Sequence, residues 1–201
     1  MRKIVGLALA AGTMALFSGC GDDGTGPGDV GGDGLFMTYV GGGGYEASGM
    51  PSFNGNDVAA GTFAIAFEDS IGGLAITSFE QTEGTRGNLF ILQLTDRRTG
   101  TFSPCGVTQE CHGRLLEGID ADSLQVVDMA WEIAGGSVQV DDAGPTRVTG
   151  SFSNLVLQAQ DTTLDDRTVE SGTFDLLLLP KDEGEAIMRC FLKRATGAPS
   201  C

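Results

Sequence analysis

Residues 35–201 predict a single all-β domain, an antiparallel β-sandwich or a closed barrel of about ten strands. Three observations carry that expectation. Apolar side chains recur at every second position: Val127, Met129, Trp131 and Ile133 share one face, while Asp128, Ala130 and Glu132 take the other. Such alternation marks an antiparallel sheet with one wet face. Breakers fall between the apolar runs, at Pro51, Pro104, Pro145 and Pro180, at Gly72-Gly73 and Gly135-Gly136, and at Asp141-Asp142-Ala143-Gly144. No window carries a 3.6-residue amphipathic repeat, so no helix is expected.

Taken in order, the first two strands span 35–40 and 45–49, around a glycine-rich turn. In 61–68, Phe63, Ile65 and Phe67 alternate with Thr62, Ala64 and Ala66, and Leu74 and Ile76 continue the pattern in 73–80. The strand at 87–95 is apolar on both faces from Asn88 to Leu94, which predicts a central strand covered on both sides. Strands follow at 99–103, 113–117, 124–133, 136–141, 146–160 and 167–179, the last alternating through Phe174, Leu176 and Leu178; a final one is expected at 186–193. Gly-Thr-Phe or Gly-Ser-Phe recurs at Gly61, Gly100, Gly150 and Gly172. The glycine permits a bulge or tight strand start, the hydroxyl faces water and the phenylalanine turns inward. Spacings of 39, 50 and 22 exclude a fixed-period propeller or solenoid.

The N-terminal segment reads differently. Met1-Arg2-Lys3 is a short cationic start, and Ile4 to Phe17 is apolar and uncharged, too short to cross a hydrocarbon core of roughly 30 Å as a stable helix. It runs into Leu16-Phe17-Ser18-Gly19-Cys20, where it resembles a bacterial lipoprotein signal with its lipobox. That resemblance implies cleavage after residue 19 and lipidation of Cys20, which becomes the N-terminus and is acylated. Gly21 in place of aspartate implies, by the same family's sorting rule, the outer membrane of the cell envelope. Two acyl chains at about 0.8 kcal/mol per buried CH₂ give stable anchoring, so the partner here is a membrane. Residues 20–34 hold seven glycines and four aspartates after the cysteine, and such a segment cannot offset its ordering entropy; a flexible tether is expected.

In the body, Met37 to Ser48, Thr99-Gly100-Thr101-Phe102, Val148 to Phe152 and Val169 to Phe174 resemble strand signatures of a group of uncharacterised β-rich bacterial lipoproteins. The resemblance spans most of 35–179, implies an all-β lipoprotein domain and brings no catalytic residues with it.

Charge and composition narrow the function. Asp and Glu number 27 against 12 Lys and Arg, a net charge of −15 that loss of Arg2 and Lys3 would deepen by two. Nucleic acid is not expected as a partner, since phosphate binding needs a positive surface. One histidine, His112, disfavours most acid–base and zinc chemistry. Neither a Gly-x-Ser-x-Gly elbow, nor His-Glu-x-x-His, nor a phosphate loop before a lysine occurs, and no enzymatic activity is expected.

Apart from Cys20, the cysteines are Cys105, Cys111, Cys190 and Cys201, an even set that in an exported protein reads as two disulfides. Of three connectivities, Cys105–Cys111 and Cys190–Cys201 close short loops beside strand ends. Ligation of a metal by Cys105, Cys111 and His112 fits no zinc spacing, which leaves His112 as an exposed loop residue. The acids Glu68-Asp69, Glu80 with Glu83, Asp120 with Asp122, Asp141-Asp142 and Asp165-Asp166 all fall at predicted turns, where solvated carboxylates collect. No cofactor is expected; a structural Ca²⁺ would sit at Asp120 and Asp122 or at Asp165 and Asp166. Trp131, with Met129, either belongs to the core or lines an apolar ligand cavity, if the sheet closes as a calycin-like barrel. The expected function is a membrane-tethered β-domain for binding, whose partner is a small apolar ligand or another envelope protein. The alternative is a Ca²⁺-stabilised carbohydrate-binding or carbohydrate-active module.

Overall fold

The computed structural model describes residues 34–50, 53–54, 57–58, 62–69, 71–84, 86–120 and 126–195. Along the chain these form β1 (Gly34–Tyr39), β2 (Gly44–Ser48), β3 (Phe53–Asn54), β4 (Asp57–Val58), β5 (Phe63–Glu68), β6 (Leu74–Glu83), β7 (Arg86–Leu94), β8 (Gly100–Phe102), β9 (Cys111–Asp120), β10 (Val126–Ala143), β11 (Arg147–Ala159), β12 (Arg167–Leu179) and a helix, α1 (Lys181–Ala195).

The sheet closes as a barrel, not a sandwich. Seven strands form the ring in the order β11-β10-β9-β7-β6-β5-β12, and β12 returns to β11; β1, β2 and β8 are added members of the sheet. The ring is antiparallel except at its seam, where β12 meets β5 in parallel over Leu178 with Ala66 and Leu179 with Phe67. Beyond this two-residue seam the β1–β2 hairpin lies between β12 and β6. β1 pairs with β12 along its length, and β2 reaches β6 through side chains. There the Tyr45 hydroxyl lies 2.9 Å from Ser78 Oγ, and the Glu46 N–H donates to the Glu80 carboxylate at 3.1 Å.

Side chains fill the interior. A line of rings crosses it, Tyr45 to Phe90 at 6.3 Å, Phe90 to Phe152 at 5.9 Å and Phe152 to Phe174 at 5.2 Å between centroids. Leu35, Met37, Leu92, Trp131, Ile133 and Leu176 pack around them. A fully buried aromatic or aliphatic side chain is worth about 1.5–3 kcal/mol, so this interior is the main source of stability.

A second apolar layer lies outside the ring. Phe63, Ile65, Phe67, Phe79 and Leu89 cluster with Ile187 of α1. Neither face of β5 is therefore wet: Ala64 and Ala66 point into the barrel, while its bulky residues point outward beneath the helix. β7 is covered on both sides as its sequence implied, with Phe90 and Leu92 inside and Leu89 under the outer layer.

Three sequence expectations are corrected. The strand expected at 186–193 is part of α1. Pro180 ends β12, its carbonyl accepts the N–H groups of Glu183 and Gly184 at 3.0 Å, and Asp182 and Glu183 place negative charge on the first turn. Ile187, Met188, Phe191 and Leu192 recur with helical spacing, and the shortness of the run hid it among strands. The strands expected at 124–133 and 136–141 are one, β10, bent by bulges at Gly135 and Gly136. Gly136 has φ +99°, which a side chain rarely adopts, and Asn154 on the facing strand sits at φ +51°. The bend lets the first half of β10 pair with β9 and the second with β8, the use bulges serve at barrel corners. Finally, β3 and β4 form a small hairpin that the sequence did not announce.

The Gly-hydroxyl-Phe elements at Gly150 and Gly172 turn out to be partners. Gly150 pairs with Phe174, Ser151 with Thr173 and Phe152 with Gly172. A Cβ on Gly172 would lie 2.8 Å from Phe152 Cδ2, and one on Gly150 would overlap the Phe174 ring. Each ring thus occupies the space that its partner glycine leaves empty. Phe63 departs from the scheme by facing outward, and Gly61 lies outside the described residues.

Candidate functional site

Alternation along the strands carries a set of polar residues to one mouth of the barrel. Arg167 stands two residues before the buried Val169, Glu117 two after Leu115, and Tyr39 two after Met37, each continuing an inward-facing row to the rim. There the Arg167 guanidinium pairs with the Glu117 carboxylate across the opening. It lies 4.2 Å above the Trp131 ring and 5.7 Å from that of Tyr39. The planar cation closes the hydrophobic interior and faces water on its other side, an arrangement suited to arginine and not to lysine.

Above this floor is an open groove of about 490 Å³, walled by Tyr39, Val40, Gly42 to Gly44, Asp166 and Thr168. The β1–β2 turn is held by Tyr39 N–H to the Gly43 carbonyl at 3.1 Å and by Val40 N–H to the Thr168 carbonyl at 2.9 Å. Gly41, Gly42 and Gly43 all have φ between +81° and +102°, and nothing lies within 4 Å of where their Cβ atoms would be. The turn needs glycine for its backbone and leaves that backbone open to a ligand. Burial first, and the Glu117 carboxylate next, push the Tyr39 phenol above its ordinary range, against the opposing Arg167 charge; it is a neutral hydroxyl at physiological pH.

The residues singled out by sequence are placed as follows. Trp131 is 1% exposed and lies under the floor of the groove, its indole N–H donating to the Asp165 carbonyl at 3.3 Å. Met129 is partly buried against the same core. Asp166 shapes the β11–β12 turn by accepting the Ala159 N–H at 3.0 Å, and the structure uses Asp165 through its backbone. Among the described residues no three His, Cys, Asp or Glu side chains converge on a metal-sized site. The side chain of Asp120 and all of Asp122 lie outside the described residues, as do Cys20, Cys201 and the side chain of Cys190. Asp141, Asp142, Glu80 and Glu83 belong to strands and not to turns.

Cys105 and Cys111 form a disulfide. The loop it closes is tied to β10 by Cys105 N–H donating to the Gly136 carbonyl at 3.0 Å. His112 follows on β9 and is half-buried, not an exposed loop residue. Its Nε2 meets Gln93 Oε1 at 3.0 Å, directly across the β7–β9 pair. Neighbouring residues of a strand face opposite ways, so the imidazole and the sulfurs do not meet.

Sequence reasoning missed Arg167, Glu117 and Tyr39. The signals available were an Arg at the start of an apolar alternating strand and three consecutive glycines after Tyr39-Val40, but only ring closure brings them together. Compared with known proteins, the chain matches no family model, no curated protein and no solved structure.

Proposed function

We propose that the chain is an exported lipoprotein whose β-barrel is a binding domain, held at the face of the envelope membrane by acyl chains on Cys20. The rim groove over Arg167 is its binding place. The observation that carries the binding reading is the contrast between an interior occupied by the rings of Tyr45, Phe90, Phe152 and Phe174 and an open groove of about 490 Å³ at the mouth. That volume lies in the range of small-molecule sites, which is about 300–1,000 Å³. The tether reading is supported by the cationic start, the apolar run and Leu16 to Cys20, and the Cys105–Cys111 disulfide suits an oxidising compartment. β1 begins at Gly34 and runs toward the groove at Tyr39, so a tether joining there leaves the mouth pointing away from its attachment. The outer membrane is the proposed location.

The test is chemical. Intact mass of the membrane fraction should show cleavage before Cys20 and added acyl chains, and Cys20→Ala should move the protein to the soluble fraction with its fold unchanged. An unacylated, freely diffusing product would overturn the tether.

A further inference from the structure

We infer that the groove binds a neutral, hydroxyl-rich chain, that is, a segment of glycan. This rests on the reading of the groove as the binding place and adds the chemistry of what it takes. The charges in the groove decide the class. Arg167 is matched by Glu117 and stacked over Trp131, so an anionic ligand finds no uncompensated cation there, and the net charge of −15 repels it at long range. A metal cation would need several converging acids, and among the described residues no three His, Cys, Asp or Glu side chains converge; Glu117 is already taken by Arg167, which leaves Asp166 as the one acid in the groove lining. What remains accessible is a set of hydrogen-bonding groups that are neutral apart from Asp166. Asp166 has one carboxylate oxygen beyond the one taken by Ala159 N–H, Thr168 carries a hydroxyl, and the open glycine turn offers peptide groups. The partly exposed Tyr39 ring and Val40, 62% exposed, add apolar surface beside them. Alternating hydroxyl and C–H faces of sugar rings match such a mixture of acceptors and apolar surface, and a glycan is held by many neutral hydrogen bonds instead of one charge contact.

The chain supplies its own reporter, since Trp131 is its single tryptophan and lies directly beneath Arg167. The full chain, purified in a detergent without a sugar headgroup, is titrated with chitohexaose, cellohexaose and maltohexaose while Trp131 emission is followed. At least one should give a saturable change that survives about 0.5 M NaCl, because no ion pairing is involved. Asp166→Asn keeps an oxygen for the Ala159 N–H but replaces the free acceptor with a donor, and should weaken binding by roughly fivefold or more. Tyr39→Ala, which removes the ring from the groove wall, should not bind. Silence with all three sugars overturns the inference. So does binding that no groove variant changes, or a response confined to hexalysine and lost in salt. These failures leave acylation of Cys20 untouched, just as an unacylated Cys20 would leave the titration readable.

Discussion

Tyr45 shows how a single polar atom is accommodated in an apolar barrel. Its ring packs on Phe90, and its hydroxyl reaches Ser78 Oγ at 2.9 Å and the Asn88 carbonyl at 3.4 Å, so both buried hydroxyls are satisfied. Tyr45→Phe strands Ser78, which is 0% exposed, and should cost about 1–2 kcal/mol in denaturant unfolding at neutral pH. Burial pushes the Tyr45 phenol well above the ordinary value near 10. The unfolded chain therefore releases this proton above about pH 10 while the folded chain keeps it. Stability is unaffected by Tyr45 below that pH and falls by about 1.4 kcal/mol per unit above it. Alkaline titration followed by tyrosinate absorbance should show Tyr45 ionising together with unfolding, and Tyr45→Phe should make the pH dependence shallower. Early ionisation in the intact fold would contradict the burial argument.

At the scale of elements, α1 sets propensity against packing. Gly184 lies in its first turns, and on an isolated helix Gly→Ala gains about 1 kcal/mol. Here the added methyl would overlap the Phe67 ring on β5, so Gly184→Ala should instead destabilise the protein by roughly 1–3 kcal/mol in thermal or denaturant unfolding. A stabilised variant would mean that the helix does not seat against β5. This pairing also explains why the helix was hidden. The segment was short enough for Ile187, Met188, Phe191 and Leu192 to pass as a strand, set off from the preceding one by the break at Pro180. By contrast, β5, β6, β7, β11 and β12 were legible within a few residues, because period-two burial is imposed by the pleat itself. The two Gly-hydroxyl-Phe elements of β11 and β12 were visible one by one. That they pair with each other depends on register, which local sequence does not contain.

At the scale of the molecule, the ring is secured at points far apart in sequence. The Cys105–Cys111 disulfide fixes the β8–β9 connection, and Cys105 N–H ties it to the bulge in β10. Replacing both cysteines by alanine should lower unfolding stability by about 2 kcal/mol, the chain-entropy value for so short a loop, without opening the barrel. Far-ultraviolet circular dichroism and urea unfolding measure both; loss of sheet signal at neutral pH would make the disulfide a condition of closure.

The sequence by itself determined the all-β class, the positions of most strands and the acidic character, since each follows from residue spacing or composition, and it favoured the Cys105–Cys111 pairing among three that the structure then decided. Only the tertiary structure decided that the sheet closes, that the outward face of β5 is covered by a helix, and that Arg167, Glu117, Tyr39 and Trp131 meet at one mouth. The reason is physical: alternation specifies which side chains share a face, whereas strand order and register decide which faces meet, and those are settled by contacts between residues distant along the chain.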